Sequence, residues 1–83
     1  MKYLKLFESS ITYSEFVEGR TYIVYRGEVP YYNRHGNRST GYYLRERPFR
    51  VIDIDRYLIV IQYNGDTWSI KPEDLRGCQF RPY

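Results

Sequence analysis

Eighty-three residues, 42% of them hydrophobic and 28% charged, with a net charge of +3, make one small domain, residues 1–83, with no room for a second. The single cysteine, Cys78, excludes an internal disulfide, and the apolar run around residues 57–61 is far too short to span a bilayer. No charged-then-apolar leader opens the chain, so a cytoplasmic protein in a reducing compartment is expected, with a net stability of roughly 3–5 kcal/mol.

Eleven tyrosines, four phenylalanines and one tryptophan, with no alanine at all, favour strands over helices. At the N-terminus Leu4, Phe7 and Ile11 are helix-spaced, while Tyr3, Lys5 and Phe7 alternate less tidily. Thr12-Tyr-Ser-Glu15 resembles a capping box and predicts a short helical segment over 13–18 that Gly19 ends. Arg20–Arg26 reads as a strand, its far end loosened by Gly27 and Pro30. Tyr42–Arg45 is a second strand, which leaves Asn33–Thr40 as free loop.

Residues 50–76 carry the firmest pattern. Asn64-Gly65 between apolar segments is a hairpin signal, because a type I′ turn needs positive φ at both central positions. It pairs Tyr63 with Asp66, Ile61 with Trp68 and Ile59 with Ile70. A tight turn at Asp55-Arg56 would pair Ile54 with Tyr57 and Ile52 with Ile59. Together the two registers put Ile52, Ile54, Ile59, Ile61, Trp68 and Ile70 on one face of a three-stranded meander. Lys71-Pro-Glu-Asp-Leu-Arg-Gly77 then predicts one helical turn anchored by Leu75, followed by a closing strand, Cys78-Gln79-Phe80.

The run YNGDTWSIKPEDL, with hairpin, tryptophan strand and one-turn helix in that order, resembles a small SH3-like barrel over residues 20–80. The resemblance implies an all-β fold with a short N-terminal helical segment and a one-turn helix before the last strand. It departs from peptide-binding SH3 domains, for the acidic loop cluster, the paired tryptophans and the Pro-Ser-Asn-Tyr element are missing, so proline-rich peptide binding does not carry over. The opening MKYLKLFE is similar to the start of many short bacteriophage proteins.

Catalytic and metal chemistry find little support. His35 is the only histidine and Cys78 the only cysteine, giving neither a nucleophile–base–orienter set nor a ligand spacing. Cys78 reads as a buried inert thiol. Asp53 and Asp55, two apart beside a turn, read as a solvated strand face, and HGNRSTG lacks the ending of a phosphate loop. No enzyme activity, cofactor or metal is expected.

What remains is the stretch YYNRHGNRSTGYYLRERPFR at 31–50. Five arginines against the single acid Glu46 give it a local charge of +4, against +3 for the whole chain. Tyr31, Tyr32, Tyr42 and Tyr43 with Arg34, Arg38, Arg45 and Arg47 are the candidate partner-binding residues. Interleaved tyrosine and arginine suit a protein interface, and the leading expectation is a non-enzymatic, phage-type accessory or inhibitor protein docking on a host or defence factor. The alternative is a nucleic-acid-binding barrel for single-stranded DNA or RNA, with arginines on phosphates and rings on bases. A purely structural role, in which these tyrosines pack strands and the arginines are solvated, competes with both.

Overall fold

The computed structural model describes residues 11–33, 38–44 and 47–83, and of 38–42 the backbone alone. The described residues form strands β1 (Thr21–Arg26), β2 (Val29–Tyr32), β3 (Arg38–Leu44), β4 (Phe49–Ile54), β5 (Ile59–Tyr63), β6 (Asp66–Ile70) and β7 (Gln79–Pro82). They make one curled antiparallel sheet in the order β3-β2-β6-β5-β4-β1-β7, an all-β half-barrel compatible with an SH3-like barrel. No helix among the described residues is long and apolar enough to cross a membrane.

The β5–β6 hairpin forms in the expected register, with Tyr63 opposite Asp66, Ile61 opposite Trp68 and Ile59 opposite Ile70. Asn64 and Gly65 take φ of 53° and 89°, the left-handed pair that a type I′ turn demands. After β6, a single 3-10 turn, Pro72–Leu75, buries Leu75 completely, also as expected. The closing strand begins at Gln79, one residue later than anticipated, and runs to Pro82.

The β4–β5 register is not the expected one. Ile54 pairs with Ile59 rather than Tyr57, and Val51 with Ile61, with a bulge at Ile52 between Val51 and Asp53. The connection is a four-residue loop, closed where the Asp55 N–H donates to the Leu58 carbonyl at 2.8 Å. The extra residue shifts every β4 side chain below it to the other face. Val51 and Phe49, opposite Ile61 and Tyr63, therefore fill the core, while Ile52 at the bulge stays 45% exposed and Ile54, opposite Ile59 at the end of the strand, 40% exposed. The buried set is Ile59, Ile61 and Ile70 with half-buried Trp68, completed by Val51 and Phe49 rather than by the two isoleucines of β4.

Two further expectations are corrected. The helical segment over 13–18 is only a 3-10 turn, Tyr13–Glu15. The cap itself is made: Thr12 N–H donates to Glu15 Oε1 at 3.1 Å and Glu15 N–H to the Thr12 carbonyl at 3.0 Å. The chain then becomes extended at Phe16, whose ring stacks on Tyr22 at 4.6 Å and lies edge-on to Phe80 at 4.8 Å. A lone helical turn is marginal in water, so burial of one phenylalanine, about 1.5–3 kcal/mol, decides the local path. The second correction is β2. Pro30 does not loosen the end of a strand but sits within one, opposite Tyr43, where the register shifts before Tyr32 pairs with Arg38. Proline without an N–H is tolerated at such an irregular position.

Candidate binding surface

β2 and β3 form the hairpin that carries the basic aromatic stretch. Alternation along β2 divides its two tyrosines. Tyr31 is buried, its ring 4.7 Å from Trp68 and 5.4 Å from Tyr63, so it belongs to the core and offers no contact surface. Tyr32, one residue on, is half-buried on the opposite side. Its hydroxyl donates to Asp74 Oδ2 at 3.2 Å, and the Lys71 ammonium lies 4.5 Å from its ring centroid. The second 3-10 turn and the residue before it thus brace the hairpin through one tyrosine. Sequence reading found that turn but not this role, because no local pattern links residues 42 positions apart.

The remaining candidates lie on β3 or after it. Arg38 opens β3 opposite Tyr32, so Arg38–Thr40 are strand rather than the expected loop. Tyr42 is in the same strand, and Tyr43 is half-buried opposite Pro30. Leu44, next to it, is fully buried against Val29 on the neighbouring strand. Arg34, Arg45 and His35 fall outside the described residues. Arg47 is exposed and donates from Nη1 to Asn64 Oδ1 at 2.9 Å, which ties the exit of the hairpin to the β5–β6 turn. Arg50 is exposed on β4. Among the described residues, β3 lies at one end of the sheet order, and Arg38 is its first residue.

Cys78 is buried, with its Sγ 3.8 Å from the Asp74 carbonyl and 3.9 Å from that of Glu28. Burial pushes its thiol above the ordinary range, a hydrogen bond with the Glu28 backbone opposes this, and the Asp74 charge adds to it. A thiol held protonated in this way is a poor nucleophile. Among the described residues no three His, Cys, Asp or Glu side chains are grouped to hold a metal ion. Asp53 and Asp55 are both exposed.

Comparisons with protein-family models, with curated proteins and with solved structures find no match for this chain. The likeness of MKYLKLFE to phage proteins receives no support from them, and that segment lies outside the described residues.

Proposed function

We propose that this chain is a non-enzymatic binding protein that docks on a protein partner through the β2–β3 hairpin. Tyr42, Tyr43, Arg45 and Arg47 form the contact, and Arg34 and Arg38 steer the approach electrostatically. The observation that supports this reading is that Arg38 opens the end strand of the sheet and Arg45 directly follows it. A strand of seven residues is about 20 Å long, so the two cations bracket a contact of the length that a protein interface needs. The bacteriophage-like opening suggests a host or defence factor as the partner.

The runner-up, single-stranded nucleic acid, needs open ring faces for bases. Tyr31 is buried and Tyr32 has Lys71 over its ring, which leaves fewer platforms than the sequence promised and favours the protein reading. The test uses wild type and the Arg45→Glu/Arg47→Glu variant. A partner protein that binds the purified wild type and loses at least tenfold affinity for the variant, with unchanged melting, supports the proposal. Equal binding by both removes the hairpin from the interface. Micromolar binding to generic single strands with a steep negative salt slope would transfer the assignment to nucleic acid.

A further inference from the structure

A second surface lies on the other side of the barrel, along the outer side of β4. Strand β1 reaches β4 only at Thr21 opposite Arg50 and Tyr22 opposite Phe49. Past that point a turn over residues 17–20 takes over. Gly19 N–H donates to the Val51 carbonyl at 2.7 Å, and Val51 N–H to the Arg20 carbonyl at 2.9 Å. The next outward N–H, that of Ile54, donates to Glu18 Oε2 at 2.9 Å in an exposed hydrogen bond. A carboxylate oxygen therefore stands where the carbonyl of a neighbouring strand would stand. Among the described residues no strand pairs there.

We infer that this distal half of β4 is a strand-addition site for an extended segment of a partner protein that alternates apolar and basic side chains. The incoming carbonyl replaces Glu18 Oε2 on the Ile54 N–H, and main-chain pairing continues along the edge. Ile52, Ile54 and Val17, 45%, 40% and 54% exposed, supply apolar contact. Between Arg50 and Arg56, which bound the segment, the exposed charges are Asp53 and Asp55. Basic side chains on the incoming strand match them.

The same acids argue against a second copy of this chain as the occupant. Antiparallel self-pairing centred on Asp53, Ile54 or Asp55 sets Asp53 against Asp53, Asp53 against Asp55, or Asp55 against Asp55. Like charges directly opposite one another destabilise a strand pair. Asp53 and Asp55 thus guard the edge against its own kind, while Glu18 remains displaceable.

The probe is a capped hexapeptide of alternating lysine and valine, with its glutamate–valine counterpart as control, titrated against the folded protein by amide chemical shifts and fluorescence anisotropy. The lysine peptide is expected to shift Glu18 and residues 51–55 saturably. Asp53→Lys with Asp55→Lys should weaken it at least tenfold and make the glutamate peptide the better ligand. Glu18→Ala, whose spectrum away from residues 17–20 and 51–55 should be unchanged, should tighten it about threefold, since one exposed hydrogen bond no longer competes. Equal binding of both peptides, shifts centred on β2 and β3, weaker binding by Glu18→Ala, or no shift at millimolar peptide would each overturn the inference.

Discussion

Gly27→Ala is expected to remove most of the stability of this protein, and the reason is Cys78. Gly27 sits between β1 and β2 with φ of +102°, and a methyl group built on it would lie 2.6 Å from Cys78 Sγ and 3.2 Å from Cys78 Cα. Two costs add. Left-handed backbone costs an L-residue about 1–2 kcal/mol. Overpacking a filled site costs a further ~1–3 kcal/mol. Their sum, about 2–5 kcal/mol, approaches the roughly 3–5 kcal/mol available to a chain of this size. At about 4–8 °C per kcal/mol, the melting midpoint should fall by at least ~8 °C. Urea unfolding followed through Trp68 fluorescence would measure this for Gly27→Ala, Cys78→Ala and the double variant. Removing Sγ relieves the shortest overlap but not the backbone term, so the double variant should recover about 1–2 kcal/mol relative to additivity. A Gly27→Ala loss below ~0.5 kcal/mol, or costs that simply add, would show that Gly27 and Cys78 are not pressed together.

Tyr31→Ala should cost at least ~3 kcal/mol, as for other buried aromatic truncations, whereas Tyr32→Phe loses one partly buried hydrogen bond and should cost about 0.5–1.5 kcal/mol; equal losses in urea unfolding would contradict the division of the pair between core and surface. Cys78 should react with a thiol reagent at mild alkaline pH far more slowly than a free thiol and at the free rate once urea unfolds the chain; rapid labelling of the native protein would refute its burial. The folded state raises the Cys78 pKa, so its contribution to stability is complete below the unfolded value of about 8.5 and is lost as pH rises through the folded value. Wild-type stability should accordingly decline relative to Cys78→Ala above pH ~9, and a rising difference would reverse the assignment.

The parts of the fold that local chemistry dictates were legible. Asn64-Gly65 imposes its turn type through backbone sterics alone, and the β5–β6 pairing follows from that turn. Pro72 and Leu75 likewise mark a helical turn by their own positions. The bulge at Ile52 was not legible, because Asp55-Arg56 lacks the glycine that would fix a two-residue turn and so does not set a loop length. Hydrophobic character offered no guard against the error: Ile52 looks as core-like as Val51, and only the extra residue decides which of the two faces inward. Phe16 illustrates the complementary failure. Its neighbours spell a helix start, and its partners Tyr22, Phe49 and Phe80 lie up to 64 positions away in sequence.

The same division runs through the candidate surface. Tyrosine beside arginine describes a strand that packs on a core as well as one that grips a partner, and the composition of residues 31–50 cannot separate them. Alternation does. Tyr31 goes inward to Tyr63 and Trp68, Tyr32 is pinned by Asp74 and Lys71, and Leu44 closes the core beside Val29. These contacts fasten the hairpin through β2 and the last residue of β3. The cations at Arg38, Arg45 and Arg47 stand on or just beyond the strand that, among the described residues, pairs with β2 alone. Exposed charges such as Arg47 contribute little to folding, about 0–1 kcal/mol at most for a surface pair. Reversing charge at 45 and 47 should therefore change binding without changing the fold, which is the condition for reading a lost partner as a lost interface.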